Sequence, residues 1–302
     1  MVHSTVECAA CQLVEPSSDW QAIAAEQAAT ALTVTRWQHG QPQQVEDVLA
    51  QEVPVALVYN GISHVVMLAS PADLEDFAYG FSYTEGIISK RRQIYGIEAK
   101  AVQAADGCLR GIELHIDLAT AQFSALKEQR RNLTGRTGCG LCGAESLQQV
   151  FKTPVRQNIP APALSVTSID HAMMQLKAQQ PLQQLTGATH ACAIVSEQGQ
   201  VLHVREDVGR HNALDKLLGA LLRQEHDFTT LWRKHWVLTT SRASYEMVQK
   251  VAMVGGQALV AISAPTALAV NLAKDYDFLL VGFARPGQCV VYHGALADSV
   301  SF

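Results

Sequence analysis

The sequence is poor in charged residues and in cysteine, and neither charge sign dominates. Asp, Glu, Lys and Arg make up 17% of the 302 residues against 48% hydrophobic residues, a balance that excludes a wholly disordered chain. The formal net charge is −5, whereas proteins that bind duplex nucleic acid usually carry an excess of positive charge, so no nucleic-acid partner is expected. Seven cysteines are an odd number and too few for a scaffold built on disulfides, which favours a reducing compartment with free thiols.

Long apolar runs are also missing. The longest, residues 254–273, is interrupted by Gln257, Pro265 and Asn271 and is not expected to cross a bilayer. Residues 1–15 have neither a basic region nor an apolar core, so they do not resemble a secretory signal. These features predict a cytoplasmic protein without a membrane partner.

The N-terminal part combines an extension with a hairpin. Residues 1–48 are rich in Gln and Ala, and we predict a poorly ordered extension there, in which residues 22–32 have the composition of a helix. The first clear element is a β-hairpin, because Asn60-Gly61 separates two apolar runs and both residues tolerate the positive φ of a tight turn. A helix is predicted after Ser70, since Ser70 can cap it and Pro71 suits its first position.

The rest of the chain, residues 49–302, is predicted to form one domain of two lobes. Strands and helices alternate in the second lobe, which predicts parallel strands joined by right-handed crossovers. The predicted fold class is therefore α/β, a mixed or parallel sheet flanked by helices, with a hairpin-containing lobe before it. Pro154, Pro160 and Pro162 mark a linker between lobes at about 49–153 and 165–302. Strands are expected at residues 191–196, 201–206, 236–240, 259–263, 278–283 and 290–292, and helices at 212–222, 245–254 and 266–274.

Three strand ends in the second lobe carry small residues next to an arginine. They contain Arg210-His211, then Ser241-Arg242, and then Ala284-Arg285-Pro286-Gly287-Gln288. Ligands of open α/β sheets collect at the carboxyl ends of strands, and an arginine can pair bidentately with an anion. We therefore predict a site for a phosphate-rich ligand. The alternative for any one of them is an arginine in a structural ion pair, and none matches a P-loop or dinucleotide fingerprint.

The segment with the clearest potential for covalent chemistry is Cys139-Gly140-Leu141-Cys142. Nearby arginines favour the thiolate, and flanking glycines suit a nucleophile that is presented to large partners. Three interpretations remain open: a sulfur carrier that holds a persulfide, a dithiol–disulfide oxidoreductase, and a zinc site completed by Cys8 and Cys11. The sulfur carrier fits best, because a zinc ribbon usually repeats its pairs within about 15–20 residues and a thioredoxin-like unit places its pair between a strand and a helix.

The remaining cysteines and two histidines are single residues near predicted strands. Cys108, Cys192 and Cys289 lie in or beside strands and are expected to be buried thiols. His190 stands at the start of a strand, where it can be structural or part of a site. His211, beside an arginine at a helix start, is the stronger candidate for a site residue.

Several motifs of this chain are long, ordered and specific. They are Gly135-Arg136-Thr137-Gly138-Cys139-Gly140-Leu141-Cys142-Gly143 and residues 52–61, 186–190, 206–216 and 241–250. These motifs resemble the FdhD family, the formate dehydrogenase accessory sulfurtransferases, and the resemblance runs from about residue 50 to the end. It implies a cytidine deaminase-like fold and a homodimer. The chain shows neither the His-x-Glu nor the Pro-Cys-x-x-Cys zinc signature of true deaminases, so deamination is not expected.

The resemblance also implies a role in formate dehydrogenase maturation. Such proteins accept sulfur from a cysteine desulfurase as a cysteine persulfide and pass it to bis-molybdopterin guanine dinucleotide before or during insertion of that cofactor into formate dehydrogenase. Cys139 matches the persulfide-forming cysteine, with Cys142 as its neighbour and relay. Gln288 stands where relatives often have a basic residue. The residues expected to bind the cofactor are Arg210, His211, Ser241, Arg242, Phe283, Ala284, Arg285, Pro286, Gly287 and Gln288.

A rival interpretation keeps the cofactor but not the sulfur. The protein would then be a chaperone that binds the guanine-nucleotide cofactor and uses Cys139 and Cys142 for redox chemistry or metal binding. The two interpretations differ in whether maturation needs these cysteines.

Overall fold

The computed structural model of the chain describes residues 12–13, 28–104, 109–134, 154, 159–224 and 228–297. Cys139 and Cys142 lie outside these residues, and so do Cys8, Cys11 and Cys108. None of the helices in the described ranges is long and apolar enough to span a bilayer.

The N-terminal part contains a five-stranded sheet and a separate hairpin. In chain order its elements are β1 (Gln12–Leu13), β2 (Ala29–Gln38), β3 (Gln41–Ala50), β4 (Val53–Tyr59), β5 (Ile62–Ala69), α1 (Leu74–Thr84), a 3-10 turn (Arg91–Gln93), β6 (Ile94–Gln103), β7 (Leu109–Leu118) and α2 (Thr120–Thr134). The larger sheet has the strand order β1-β6-β7-β4-β5, and only the β4–β7 pair is parallel among its described pairs. The predicted hairpin is confirmed as β4–β5, with positive φ of 44° at Asn60 and 80° at Gly61. α1 covers this sheet through buried side chains that include Leu74 and Phe77.

β2 and β3 form an antiparallel pair of their own, in register from Ala29 opposite Ala50 to Gln38 opposite Gln41. The helix considered over residues 22–32 is therefore wrong for residues 29–32, which belong to β2. Thr and Val recur along β2, and such β-branched residues favour an extended chain. The positive φ of Gly40, 76°, closes the turn between the strands.

The C-terminal lobe is a six-stranded mixed sheet with helices on both faces. Its elements are α3 (Val166–Ala178), α4 (Pro181–Thr186), β8 (His190–Ser196), β9 (Val201–Asp207), α5 (Arg210–Arg223), α6 (Phe228–Leu231), β10 (His235–Thr239), α7 (Tyr245–Met253), β11 (Ala258–Ala261), α8 (Ala267–Tyr276), β12 (Leu279–Arg285) and β13 (Gln288–His293). The strand order is β13-β12-β11-β10-β8-β9. α5, α7 and α8 bury one face of the sheet, and α3 buries the other.

The expected strands and helices of this lobe are confirmed, but their directions differ from the expected all-parallel pattern. Only β10, β11 and β12 run parallel to one another, while β9 and β10 pair antiparallel with β8, and β13 pairs antiparallel with β12. Short turns at Gln198-Gly199 and Pro286-Gly287 explain the antiparallel β8–β9 and β12–β13 pairs, because a tight turn can join only antiparallel neighbours.

The two lobes are joined where α1 packs on α5. A Cβ at Gly80 would overlap the carbonyl of Asp215, and a Cβ at Gly219 would overlap the carbonyl of Asp76, so both glycines are needed for this close crossing. Ion pairs reinforce the joint, since Arg223 Nη1 lies 2.6 Å from Asp76 Oδ1. The lobes therefore share one packed interface.

Candidate functional site

The carboxyl ends of four strands meet at one edge of the C-terminal sheet, which we call the carboxyl edge. β9 and β10 both pair antiparallel with β8, so that Asp207 lies opposite His190 and Thr239 lies opposite Cys192. β11 and β12 run parallel to β10 and end on the same side. α5, α7 and α8 begin there, directly after β9, β10 and β11. The three arginine-bearing strand ends therefore lie along a single edge.

Backbone hydrogen bonds link the loops that follow β10, β11 and β12. The amide of Ala243 donates to the carbonyl of Ala264 at 3.2 Å, and the amide of Thr266 donates to the carbonyl of Ala243 at 3.0 Å. The amide of Phe283 donates to the carbonyl of Ser263 at 3.2 Å. The loop of Arg242 is thus connected through the β11 loop to the loop that begins at Phe283.

A buried carboxylate fixes the turn that precedes α5. Asp207 and Lys216 have fully buried side chains and form an ion pair of 2.6 Å. Asp207 also accepts hydrogen bonds from the amides of Ser70 at 3.0 Å and Gly209 at 2.7 Å, and from the Asn212 side chain at 3.1 Å. The Asp207 carboxylate therefore accepts from an ammonium, two backbone amides and a side-chain amide. These contacts fix the backbone just before α5 begins.

Arg210 and His211 lie at the start of α5. The Nε atom of Arg210 is buried and has no hydrogen-bond partner among the described residues. His211 Nε2 lies 2.7 Å from a carboxylate oxygen of Glu246 and 3.4 Å from the Ser244 hydroxyl. This contact joins the first turn of α5 to the first turn of α7. The hydrogen bond from His211 also lowers the pKa of Glu246.

The three arginines of the carboxyl edge form no ion pair with any residue in the described ranges, which disfavours a purely structural role for Arg210, Arg242 and Arg285. Arg242 and Arg285 are exposed. Ser241, by contrast, is only 2% exposed, and its hydroxyl lies 3.0 Å from the Thr239 hydroxyl and donates to the Arg242 carbonyl at 3.0 Å. Ser241 therefore shapes the loop, while the arginines remain available to an anion.

The loop after β12 has an unusual backbone at Phe283. This aromatic residue has a φ of 49° and is 43% exposed, although the left-handed region costs a residue other than glycine about 1–2 kcal/mol. Gly282 is confined as well, because a Cβ there would lie 2.8 Å from Pro265. The amide of Gly287 donates to both carboxylate oxygens of Asp170 at 3.0 Å, which anchors the turn on α3.

A cavity of about 470 Å³ opens at the other end of the carboxyl edge, beside β8. His190 and Thr240 line it together with the end of α4. Burial lowers the pKa of His190, and nearby Arg210 lowers it further. His190 is therefore half-buried and lines an open cavity at this edge.

The described cysteines carry no reactive thiol at this edge. Cys192 is fully buried, and burial raises its thiol pKa to about 12, although its hydrogen bond to Thr239 lowers it. This confirms the expectation of a buried thiol at Cys192, whereas Cys289 is only half-buried. Burial also raises the pKa of Cys289.

Sequence reasoning did not single out several polar residues that the fold brings to this edge. Glu246, Asp170 and Gln180 all contribute, yet they belong to different helices or to the turn between α3 and α4. Glu246 lies in the motif at residues 241–250, which was the one available signal for it. No local pattern marks Asp170 or Gln180, because their neighbours at the site are distant in sequence.

Comparison with known proteins shows the family of this chain. Residues 50–297 match the model of the FdhD/NarQ family. The chain is 51% identical over 268 residues to a protein of Cupriavidus necator named sulfur carrier protein FdhD, covering 87% of this chain and 88% of that protein. The fold is similar to a crystal structure from Desulfotalea psychrophila described as a formate dehydrogenase accessory protein, with a TM-score of 0.65 and 22% identity over 88% of this chain and 97% of that one. This chain belongs to the FdhD/NarQ family.

Proposed function

We propose that this protein is a sulfur carrier for formate dehydrogenase. It would accept sulfur from a cysteine desulfurase as a persulfide on Cys139 and transfer it to bis-molybdopterin guanine dinucleotide before or during cofactor insertion. The observation that carries the proposal is the 51% identity, over most of both chains, to a protein named sulfur carrier protein FdhD.

The first step needs only the chemistry of a thiolate. The Cys139 thiolate attacks the outer sulfur of the desulfurase persulfide, a new S–S bond forms on Cys139, and the desulfurase cysteine leaves as a thiolate. No external oxidant or reductant is required for this exchange. Arg130, Arg131 and Arg136 are close to Cys139 in sequence, and cations favour the thiolate form.

The carboxyl edge supports binding of the cofactor by its nucleotide ends. Each guanine nucleotide carries a pyrophosphate, and Arg210, Arg242 and Arg285 are arginines without an ion pair to a described residue. α5 and α7 also direct their N-terminal amides to this edge, where anions are stabilised. The proposal extends to a homodimer with a cytidine deaminase-like fold that works in the cytoplasm.

Complementation of a strain that lacks its own accessory protein tests the sulfur-transfer step. Wild type should restore formate dehydrogenase activity, Cys139→Ala should not, and Cys142→Ala shows whether the neighbouring thiol is needed. Cys289→Ala is the matched control, because this half-buried thiol lies outside the proposed chemistry. Incubation with a desulfurase and cysteine should add one sulfur to the Cys139 peptide by mass spectrometry.

The alternative chaperone function predicts the opposite result. Activation would then survive the loss of both Cys139 and Cys142, while nucleotide binding would still depend on Arg210, Arg242 or Arg285. Full activity of Cys139→Ala would therefore exclude the sulfur-carrier proposal.

A further inference from the structure

Positive charge is concentrated in one part of the N-terminal lobe, although the protein as a whole is acidic. Residues 89–134 contain eight basic and five acidic residues, in a chain with 23 basic and 28 acidic residues overall. Three of the eight, Lys90, Arg91 and Arg92, are consecutive and exposed, at the start of the 3-10 turn that precedes β6. An excess of one charge sign in a limited area creates a local potential that attracts partners of opposite charge.

The backbone of this turn is held in place by one side chain. Gln93 accepts hydrogen bonds through its Oε1 from the amides of Ser89 at 2.7 Å and Lys90 at 2.9 Å. Lys90 and Arg92 form no ion pair with any residue in the described ranges. The fixed backbone therefore presents two cations that no described carboxylate neutralises.

The turn is directly connected to α2. The amide of Ala119 donates to the carbonyl of Gln93 at 2.9 Å, so α2 begins next to the turn. Lys127 lies about 10 Å further along the helix axis, at 1.5 Å per residue, and is exposed with its ammonium 4.5 Å from the centre of the Phe123 ring. It also forms no ion pair within the described part of the chain. The term basic surface refers below to Lys90, Arg91, Arg92 and Lys127.

α2 leads from the basic surface towards Cys139. The helix ends at Thr134, and Cys139 follows five residues later in the sequence. Five residues span at most about 18 Å. A protein–protein interface typically covers about 800 Å² on each partner, which corresponds to a patch about 30 Å across. A protein docked on the basic surface can therefore present a cysteine within reach of Cys139.

We propose that the basic surface docks an acidic face of the protein that delivers sulfur to Cys139. The inference rests on the proposed function, because a persulfide donor is the partner that must approach this part of the chain. Opposite charges steer two proteins together and raise their association rate by about 10–10³-fold at low salt. A compact acidic protein surface suits this area better than nucleic acid or an anionic membrane, because those extended polyanions would also meet the acidic remainder of the chain.

The rate at which a purified cysteine desulfurase, supplied with L-cysteine, loads Cys139 tests the proposal by mass spectrometry. The variant Lys90→Glu/Arg92→Glu of the full chain should load about tenfold more slowly than wild type at about 50 mM salt. The difference should shrink at about 500 mM salt, where the screening length falls to about 4 Å.

The matched control is Arg233→Glu/Lys234→Glu. Arg233 and Lys234 are two consecutive exposed cations of the C-terminal lobe, and both double variants change the net charge by the same amount. The control should load within about twofold of wild type, because steering depends on charge placed near the docking site.

Glutathione persulfide as the sulfur donor separates docking from the reactivity of the thiol. The Cys139 thiolate attacks the outer sulfur and glutathione leaves as a thiolate, so no protein surface has to dock. Wild type and both double variants should load at the same rate from this donor. An equally large loss with glutathione persulfide would overturn the proposal, because the substitutions would then act on the thiol itself.

Three results with the desulfurase would also overturn it: a wild-type loading rate in Lys90→Glu/Arg92→Glu, an equal loss in the control, or a loss that does not respond to salt. Unchanged loading together with lost binding to phosphatidylglycerol vesicles or RNA would assign the basic surface to that polyanion instead. If Cys139 of wild type takes up no sulfur, the proposed function fails. Calorimetric binding of the desulfurase still decides the docking in that case, since weaker binding to Lys90→Glu/Arg92→Glu than to wild type supports it and equal binding overturns it.

Discussion

A buried charge cluster behind the carboxyl edge permits a quantitative test of how the lobes are held together. Lys250 of α7 is 8% exposed, and its Nζ lies 2.9 and 3.0 Å from the carboxylate oxygens of Asp215 on α5. The same ammonium donates to the hydroxyl of Thr84 on α1 at 2.9 Å and lies 3.2 Å from Glu85. One cation therefore joins three helices from both lobes.

The substitution Lys250→Met should leave the Asp215 carboxylate buried without its cation. Removal of one partner from a buried pair costs about 3–5 kcal/mol of unfolding free energy. Burial raises the pKa of Asp215 even in the intact protein, although Lys250 lowers it, and this pKa should rise further in the variant. The pKa of Asp215 in the folded variant then exceeds its unfolded value of about 3.9, so Asp215 keeps its proton to a higher pH in the folded state than in the unfolded state. The loss of unfolding free energy relative to wild type should therefore be smallest near pH 4 and should grow as the pH rises through the folded pKa.

Urea denaturation of the purified protein at several pH values between about 4 and 8 measures this deficit. Lys100→Met is the matched control, because Lys100 forms a partly exposed pair with Glu98 at 3.2 Å, and such pairs contribute about 0–1 kcal/mol. The double variant Lys250→Met/Asp215→Leu should regain much of the loss, since both charges are then absent. The reasoning fails if Lys250→Met loses less than about 1 kcal/mol at pH 8, if its deficit does not vary with pH, or if the double variant is no more stable than the single one.

Three further substitutions test the joint and the carboxyl edge. Gly219→Ala should destabilise the protein by about 1–3 kcal/mol in urea denaturation, because its Cβ would meet the backbone carbonyl of Asp76; unchanged stability would contradict the close crossing. Arg285→Ala should weaken GDP binding about tenfold in calorimetry, whereas Arg92→Ala, an exposed arginine of the other lobe, should not; equal effects would indicate unspecific charge attraction. Phe283→Gly should keep or raise stability by about 1 kcal/mol, because it relieves the positive φ, yet lower cofactor-dependent activation; full activation would show that the aromatic ring is dispensable.

Local patterns were sufficient for elements whose signals are contiguous in the sequence. Asn60-Gly61 predicted the β4–β5 turn, and the sequence also predicted the helices α5 and α7. Strand direction was harder to predict from the sequence. The directions of β8 and β9 depend on a short turn between them and on the pairing of β8 with the distant strand β10. The helix considered over residues 22–32 failed where threonine and valine in a paired strand outweighed a composition that is otherwise rich in alanine.

The polar groups of the site show more clearly that contacts between residues distant in sequence cannot be predicted from local patterns. A sequence places Arg210 and Arg242 after strands, but it does not show that Glu246 would tie their helices together through His211. Gln180 could not be recognised at all, because a glutamine after a helix is ordinarily a solvated residue. It becomes notable only when the fold buries it to 7% exposure beside a cavity.

The motif at residues 206–216 is long, although few of its residues are candidates for contact with a ligand. The contacts made by the residues in and before α5 explain this. Within residues 206–216, Glu206 accepts from the amides of Leu182 and Gln183 at the start of α4, and Asp207 with Lys216 fixes the preceding turn. Asp215 binds Lys250, so most charged side chains of the motif are turned inward to the neighbouring elements. Arg210 and His211 are the two that reach the carboxyl edge. The rigid support around them should hold the Arg210 guanidinium in place before a ligand arrives, which lowers the entropic cost of binding an anion. The main role of residues 206–216 is therefore to hold Arg210 and His211 in position. Substitutions of the other residues of this motif should lower ligand affinity even though those residues do not contact the ligand.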